Sequence, residues 1–461
     1  MNRRMWQMIL VLALALLVGG VTVATAQGLA RHEDTNRQNP RNSQVSNPIT
    51  ARAAYTYTTV ITVTSTGDPD DSASSTCYTG SANDESPCTL RRALVEAGGL
   101  SAGERPVLIK FNIPTTDTGY ITTTAIPGAW RIEPIADLPA LKGGQVIIDG
   151  DTQGEIGGRT DGPKIILKLY PNDDLTLGYN LADSGNVVRG LALQEGGIYL
   201  YADDNLVEDN WVGLTDDGEG IYYIDDDPRR ANYATISGGA DSDGNLIRDN
   251  VVASARGEGI AVQGDNNVIV GNYVGTRADG TIDDVPLHRR CHPDAVYYNW
   301  FTGDGIRVSG DNNQIGGPTA AERNVIAGML FANPDPKNSP PIALEVTGND
   351  NVAQNNRIGQ DATGADAWVC GVGIYVSGER NRFRDNTIVN AGEESIGVYG
   401  DGITLDAITM QGNTARGASP ALKFGDLVPI SWTHFVPAQI TGIAGTTVSG
   451  TAGADSACPY C

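Results

Sequence analysis

The stretch GIAVQGDNNVIVGN, Gly259 to Asn272, places a turn rich in Gly, Asp and Asn between two runs of alternating apolar residues. Related segments are GIYLYADDNLVEDN ending at Asn210, DSDGNLIRDN ending at Asn250, GIRVSGDNNQIGG starting at Gly305, ALEVTGNDNVAQNN ending at Asn356 and GIYVSGERNRFRDN ending at Asn386. Their common form is G-I-x-V-x-G-x-x-N-x-I-x-x-N. Such self-similarity within one chain indicates a solenoid or another repeat architecture.

The spacing of the copies decides which solenoid is expected. The aligned asparagines are Asn205, Asn245, Asn267, Asn313, Asn351 and Asn381, with spacings of 40, 22, 46, 38 and 30 residues. Twenty-two extended residues would run about 70 Å, far longer than a single strand. One repeat must therefore turn more than once, which predicts two or three short strands per coil and a parallel β-helix. The longer spacings are interpreted as the same coil with inserted loops on one face.

The repeated asparagines have a structural explanation. A turn between stacked coils removes backbone donors and acceptors from water, and Asn tolerates the left-handed conformation while its amide both donates and accepts. We expect equivalent asparagines of successive coils to form a ladder of hydrogen bonds, because buried amides must be satisfied. This interpretation is favoured over a role in ligand binding for every repeated Asn.

The N-terminus has the pattern of an export signal. Arg3 and Arg4 precede an apolar run from Met8 to Val18, and Ala24-Thr25-Ala26 offers small residues for cleavage. A run of this length is typical of a signal peptide and short for a membrane span, although an uncleaved anchor stays an alternative. We expect residues 1–26 to be the signal peptide of a secreted or cell-surface bacterial protein, with no membrane span left after cleavage. Residues 27–54, polar and rich in Pro, are expected to be a flexible linker.

A short N-terminal cap is predicted between residues 55 and 145. The segment from Tyr55 to Thr64 is rich in β-branched and aromatic residues and predicts a strand. In PCTLRRALVEAGG, Thr89 is a candidate helix N-cap, and a helical face carries Leu90, Ala93, Leu94 and Ala97 before Gly98-Gly99 ends the helix. Because so short a helix needs packing, we expect it to cover an open end of the sheet.

Six cysteines in an exported chain are expected to form disulfides. Cys77 and Cys88 flank a polar loop and are the preferred pair, while Cys291 and Cys370, both in loops between repeats, are a second candidate pair. Six cysteines allow 15 pairings, so these are preferences. The terminal Cys458 and Cys461 are interpreted as a small disulfide loop or part of a truncated pair.

The net charge of -23 limits the classes of binding partner that are expected. So acidic a surface disfavours nucleic acid and anionic lipid, and it is compatible with divalent cations or simply with solubility. We therefore expect no nucleic-acid partner, a monomeric chain, and a partner that is an extracellular polysaccharide or a surface protein.

Several segments resemble a known group of bacterial exported proteins. Pro87-Cys88-Thr89-Leu90-Arg91-Arg92-Ala93-Leu94 resembles the CSLREA signature of that group, with Thr89 and Arg92 in place of the usual Ser and Glu. IKFNIP from Ile109, VIIDGDTQG from Val146, the element from Ile315 to Ile326, and the loops GTRADGT and GQDATGA also match stretches that accompany the signature. The resemblance spans about Thr59 to Ile440 and implies a right-handed parallel β-helix of the pectin-lyase-like type. It implies little chemistry, because the group has no general assigned activity.

These observations predict a domain order for the all-β chain. The β-helix is expected over residues 146–424, and residues 425–461 resemble the opening of a β-sandwich module, as a truncated domain or a remnant tail. Leucine-rich repeats and calcium-binding nonapeptide repeats fit less well, since leucine is sparse and G-G-x-G-x-D does not recur.

The resemblance makes carbohydrate chemistry the sharper functional hypothesis. Polysaccharide lyases and glycoside hydrolases share this fold, and they need placed carboxylates or a basic residue. The weak catalytic candidates are Asp203, Asp204, Asp225, Asp226, Arg289 and Arg290. Acidic doublets at turns are usually solvated, however, and the fold does not determine function. We therefore favour binding or adhesion to carbohydrate or a surface partner without catalysis.

Aromatic residues in and near the predicted inserts are the candidate sugar platforms. They are Trp211, Tyr222, Tyr223, Tyr297, Tyr298, Trp300 and Trp368, for which packing within loops is an equally weighted alternative. Calcium is the one cofactor considered, with Asp216, Asp217, Asp279 and Asp361 as weak ligand candidates. Loops that offer one or two carboxylates are weak evidence, because Ca²⁺ takes 6–8 oxygen ligands.

Overall fold

The computed structural model describes residues 55–68, 77, 87–122, 128–154, 162–169, 173–218, 234–253, 257–282, 303–329, 340–399, 409–411, 413–416, 422–424, 439–444 and 447–451. The predicted signal peptide and linker lie outside these residues.

Three long sheets, named A, B and C, make up most of the described chain. Sheet A contains β1 (Thr59–Val63), β2 (Val107–Phe111), β5 (Val146–Asp149), β8 (Val187–Arg189), β11 (Leu206–Glu208), β14 (Leu246–Arg248), β17 (Val268–Val270), β20 (Gln314–Gly316), β23 (Val352–Gln354), β26 (Arg382–Arg384) and β29 (Thr409–Gln411). Sheet B contains β3 (Tyr120–Ile121), β4 (Ala129–Ile132), β6 (Ile165–Lys168), β9 (Leu191–Gln194), β12 (Trp211–Val212), β15 (Val251–Val252), β18 (Tyr273–Val274), β21 (Val325–Ile326), β24 (Arg357–Ile358), β27 (Thr387–Val389) and β30 (Thr414–Arg416). Sheet C contains β7 (Asp174–Leu177), β10 (Gly197–Leu200), β13 (Ile236–Gly238), β16 (Ile260–Val262), β19 (Ile306–Val308), β22 (Ile342–Val346), β25 (Val372–Val376), β28 (Ile396–Val398) and β31 (Leu422–Phe424).

From β5 onward the chain visits the sheets in the repeating order A, B, C, whereas β1 and β2 both belong to sheet A and β3 and β4 to sheet B. Within each sheet neighbouring strands pair in parallel, apart from the antiparallel pair β3–β4. This connectivity is that of a parallel β-helix with three strands per coil, so the predicted fold class is confirmed. Alternating side chains point inward and stack in rows, and Ile198, Ile236, Ile260 and Ile306 form one such row on sheet C. All four are fully buried. The thin aliphatic core therefore follows from alternation in strands only two to five residues long.

The corners between sheets C and A share one backbone conformation. A residue with positive φ precedes each aligned asparagine: Asp204, Gly244, Asn266, Asn312, Asp350 and Arg380. Asn205 then donates its side-chain amide to Oδ1 of Asn245 at 2.9 Å, and Asn245 donates to Oδ1 of Asn267 at 3.0 Å. Farther along, the backbone N–H groups of Asn267, Asn313 and Asn351 donate to Oδ1 of the following rung, which ends at Asn381. The aligned asparagines are thus consecutive rungs of one ladder.

A second ladder runs along the corner between sheets A and B. Its rungs are Asn210, Asn250, Asn272, Asn356 and Asn386, which end sequence copies, together with Asn324 and Asn413. Along the series from Asn210 to Asn413, each side-chain amide donates to the next rung. The distances between amide nitrogen and oxygen are 2.9–3.1 Å throughout. Two corners of the coil are therefore fixed by buried amides, while the described residues of the corner between sheets B and C form no such ladder.

Helix α1 (Leu90–Gly99) caps the N-terminal end of the coils. Thr89 is its N-cap and accepts a hydrogen bond from the backbone N–H of Arg92, and Leu90, Ala93, Leu94 and Ala97 are its buried residues. These side chains join the core beneath β1 and β2. Two 3₁₀ turns, Ala102–Glu104 and Gly150–Thr152, complete the helical structure in the described ranges. The helix and its buried face are as predicted from the sequence.

The preferred disulfide between Cys77 and Cys88 is present and ties the loop before α1 to the helix. Cys370 is also disulfide-bonded. Its partner lies outside the described residues, as does Cys291, so that pairing stays a prediction. Near the C-terminus, β32 (Gln439–Ala444) and β33 (Thr447–Thr451) form an antiparallel hairpin. Among the described residues, no helix has both the length and the apolar character needed to span a membrane.

Candidate functional site: a cleft across sheet C

The outer face of sheet A carries a ladder of alternating charges. In register, Lys110, Asp149, Arg189, Glu208 and Arg248 follow one another across successive strands. Arg189 pairs with Asp149 and lies 3.5 Å from Glu208, and Arg248 Nε donates to Glu208 Oε2 at 2.8 Å. Because each charge is neutralised by its neighbours, this face is explained by cross-strand pairing.

The outer face of sheet B is covered by loops of the chain itself. The turns at residues 215–218, 277–280 and 361–364 belong to every second coil, and they stack through hydrogen bonds from Ala278 N to Gly218 O and from Ala362 N to Gly280 O, both 2.9 Å. A Cβ placed on Gly218 would lie 3.1 Å from the Trp211 ring. Trp211 is therefore only 5% exposed, in a cluster with Leu214 and Ala278. The expectation that its ring is a sugar platform is wrong for this structure, because the loop covers it.

These stacked loops also contain the four calcium candidates. Asp279 Oδ1 accepts from Thr281 N at 2.9 Å and from its hydroxyl at 2.6 Å. Asp361 Oδ1 accepts from Thr363 and from Ala365 N at 2.7–3.0 Å. These contacts are the turn bonds that Asp makes within its own loop.

The other two candidates are similarly engaged. Asp217 accepts from the Thr215 hydroxyl at 2.5 Å, while Asp216 pairs with Arg131 and accepts from Gln194 at 2.8 Å. Within the described part of the chain, no three His, Cys, Asp or Glu side chains come together as a potential metal site. Calcium binding stays a prediction.

Sheet C carries a cleft with a volume of about 680 Å³. The outward residues Tyr199, Ser237, Ala261 and Arg307 are neighbours in register on β10, β13, β16 and β19. The Tyr199 ring and the Arg307 side chain form two walls, and the small Ser237 and Ala261 form the floor. Three strand spacings separate the walls, a Cα distance of about 14 Å. Asp174, Thr235, Gly238, Gly257, Glu258, Val262, Gln263 and Ser309 complete the lining.

Arg307 is held in place by two carboxylates. Its Nη1 atom lies 2.7 Å from Glu258 Oε1, and its Nε atom lies 3.3 Å from Glu345 Oε2 on the next strand. The hydrogen bond with Glu258 is the main cause that raises the pKa of Arg307. The guanidinium therefore stays charged and is fixed as a rigid wall.

Burial changes the titration of three carboxyl groups along this face. It raises the pKa of Asp174, whose Oδ1 accepts from Gly197 N at 2.9 Å, and the pKa of Asp304, whose Oδ1 accepts from Ile342 N at 2.7 Å. Burial also raises the pKa of Glu345, although Arg307 opposes that shift. The cleft is thus flanked by carboxyl groups that ionise less readily than carboxyl groups in water.

An aromatic pair lies farther along the same face. Tyr375 is the register neighbour of Glu345, and its ring stacks on that of Tyr399 with centroids 4.8 Å apart and planes at 13°. The next outward residue is Gly397, where a Cβ would lie 2.4 Å from the Tyr399 ring, so glycine is required for this arrangement. At the other end of the cleft, Tyr199 and Tyr201 have ring centroids 6.3 Å apart. Sheet C therefore carries tyrosine pairs on both sides of Arg307 and Glu345.

The longest inserted segments are connected to this face. The described chain ends at 218 after β12 and resumes at 234 before β13, and it ends at 282 after β18 and resumes at 303 before β19. Both insertions therefore occur between sheets B and C, at the corner whose described residues form no asparagine ladder. Tyr222, Tyr223, Asp225, Asp226, Arg289, Arg290, Tyr297, Tyr298 and Trp300 belong to them and lie outside the described residues.

The remaining sequence candidates do not line the cleft. Trp368 is 3% exposed, so its proposed role as an exposed sugar platform is wrong for this structure: the ring is packed in the loop before β25. Asp203 Oδ1 accepts from Asp243 N at 2.9 Å and forms part of a turn-to-turn contact at the corner between sheets C and A. Its neighbour Asp204 has φ 54 and is the left-handed residue of that corner. Both positions are explained by coil stacking.

The cleft residues were not recognised from the sequence, although the sequence contains a signal for them. The variable position of G-I-x-V is the outward residue of each sheet C strand, and it is Tyr199, Ala261, Arg307, Glu345 and Tyr375 in successive copies. The constant asparagines of the motif mark the corners of the coil, whereas this variable column marks its outer face. Ser237 lies in a strand that departs from the motif.

The fold was compared with known proteins. No protein-family model matches the chain, and no curated protein is significantly similar in sequence. Among solved structures, the A-module of mannuronan C-5 epimerase AlgE4 from Azotobacter vinelandii is similar, at 13% identity and a TM-score of 0.30, over 73% of this chain and 92% of the module.

Proposed function

We propose that the protein is an exported or cell-surface β-helix protein that binds extracellular carbohydrate in the sheet C cleft without transforming it. The observation that supports this most is the combination of the Tyr199 ring with a floor of small residues and polar groups on Gln263, Ser309 and Arg307. Ligand sites combine an apolar surface with a few oriented polar groups, and a tyrosine face suits the apolar side of a sugar ring. The export signal predicted from the sequence supports the proposal, since export would bring the chain to extracellular glycans.

Binding to immobilised glycans tests this proposal. We expect Tyr199→Ala to weaken glycan affinity at least about tenfold, equivalent to about 1.4 kcal/mol. Ala261→Trp, which fills the floor from outside without touching the inward row, should abolish binding. Tyr57→Ala is the matched control, because Tyr57 is 50% exposed and does not line the cleft. A glycan panel to which the wild-type chain does not bind would refute the proposal.

Catalysis on a polyuronate-type polymer, as a polysaccharide lyase or glycoside hydrolase, is the second candidate. Asp304 and Glu345, with raised pKa values beside Arg307, have the character of a general acid next to a cation. Incubation with polyuronates and neutral glycans, with and without Ca²⁺, separates the two functions. Unsaturated or reducing-end products that disappear in Glu345→Gln would establish the enzyme, and retention without products would support binding.

A further inference from the structure

The charge balance of the cleft identifies a class of glycan. Among the described residues that line it, Arg307 is the one cation, and Asp174 and Glu258 carry carboxyl groups. Asp304 and Glu345 interact electrostatically with the same Arg307. Three carboxyl groups, those of Glu258, Asp304 and Glu345, therefore interact with one guanidinium, which is already engaged by Glu258 and Glu345. Asp174 adds a further carboxyl group to the lining.

This arrangement of charges disfavours the binding of a polyuronate. Its carboxylates need cations, and they would have to share the Arg307 guanidinium with Glu258, whose Oε1 atom lies 2.7 Å from Nη1 of Arg307. Glu258 would then repel the ligand. A neutral sugar avoids the repulsion but does not balance the excess negative charge.

A protonated amine complements both features of the site. An ammonium group is attracted by carboxylates and by the face of a tyrosine ring, and one such contact contributes about 0.5–2 kcal/mol or more when desolvated. Tyr199 lines the same cleft as Glu258 and as Asp174, which lies on the neighbouring strand β7. Tyr375 occupies the corresponding position beside Glu345 on the far side of Arg307.

We propose that the ligand of the sheet C cleft is a glycan that carries protonated amino groups, such as a glucosamine oligomer, rather than a polyuronate. This inference rests on the proposed function and specifies its substrate class. It is drawn from the position of Tyr199 and Tyr375 on either side of the Glu258–Arg307–Glu345 group, together with the cleft that Tyr199 and Arg307 border.

The test compares three oligosaccharides of equal length by isothermal titration calorimetry at pH 5.5: glucosamine, N-acetylglucosamine and galacturonate hexamers. We expect the glucosamine hexamer to bind at least about tenfold tighter than the N-acetylated one at low salt. The ratio should shrink in 0.5 M NaCl, since the Debye length is then only about 4 Å. Galacturonate should bind most weakly.

Variants test whether the preference for the glucosamine hexamer arises in the cleft. Glu258→Gln, at a side chain 32% exposed, should reduce the ratio several-fold, because it lowers the affinity for the glucosamine hexamer more than the affinity for the N-acetylated one, and Asp174→Asn provides a second, independent position. Asp385→Asn is the control of equal charge change. Asp385 is an exposed residue with φ 54 at the corner between sheets A and B, where the equivalent residue of the preceding coil is Asn355.

The outcomes separate the two proposals. Equal binding of the amine and the N-acetylated hexamer would overturn the amine preference and leave carbohydrate binding intact. Binding of neither would overturn both. An oligolysine of the same charge that competes as well as the glucosamine hexamer would show that the site recognises charge alone, which also overturns this inference.

Discussion

The side-chain amide of Asn272 donates to Oδ1 of Asn324 in the next coil at 3.1 Å, and its own Oδ1 accepts from the amide of Asn250 at 3.1 Å. The same Asn272 amide also donates to Ile247 O at 2.9 Å. One fully buried side chain thus connects three coils. The Asn that recurs at the end of the sequence copies is explained by this connection between coils.

We predict that Asn272→Ala lowers the free energy of unfolding by about 3 kcal/mol, because it leaves several buried polar groups without partners. Chemical denaturation with an unchanged slope would measure the loss. Asn112→Ala is the control, since Asn112 is exposed in the loop after β2 and should change stability by less than about 0.5 kcal/mol. Equal stability of Asn272→Ala and the wild-type chain would contradict the ladder explanation.

The charge ladder on sheet A leads to a second prediction. Glu208 is nearly buried and binds Arg189, Arg248 and the hydroxyl of Tyr55 at 3.3 Å. Removing its charge in Glu208→Gln leaves two guanidinium groups without their shared partner, so we expect a loss of about 3 kcal/mol. In Glu379→Gln, where the pair with Arg380 is exposed, the loss should stay below about 1 kcal/mol.

Tyr55 reports on the same network. Burial, followed by the charge of Glu208, raises the pKa of Tyr55 to about 12. Ultraviolet titration of the folded chain should therefore show one tyrosine that ionises at higher pH than the exposed tyrosines. In Glu208→Gln, this ionisation should shift to lower pH. Tyr55→Phe identifies the transition, and its persistence in that variant would contradict the assignment.

How much of this molecule was predictable depends on the range of the interactions. The coil, the Asn205 and Asn272 ladders and helix α1 follow from local spacing, because turn chemistry and alternation repeat at fixed positions. The burial of Trp211 was not predictable in the same way, because the loop that covers it stacks on a loop two coils away. The cleft was not predictable for a related reason. That Tyr199 and Arg307 are opposite walls of one cleft follows only from the register across three strand spacings.

A pair of carboxyl groups at the N-terminal cap predicts a pH dependence. The segment before β5 docks on sheet C through a hydrogen bond from Leu141 N to Thr176 O at 2.9 Å, and Asp137 of that segment lies beside Asp173. Burial, and next the Asp137 carboxyl, raises the pKa of Asp173 to about 6. As the pH rises, the folded state therefore keeps a proton on Asp173 that the unfolded state, with a carboxyl pKa of about 3.9, has already released at lower pH.

The sign follows from this difference. The stabilising contribution of protonated Asp173 is complete below about pH 4 and is lost as the pH rises through about 6. In Asp173→Asn the side chain stays neutral, so the variant should gain melting temperature relative to the wild-type chain as the pH increases from 4.5 to 7. Differential scanning calorimetry of both proteins across that range measures the gain, and Asp385→Asn controls for the change in net charge. A difference that does not vary with pH would show that Asp173 is ionised at pH 4.5 and that the cap is not held by a shared proton.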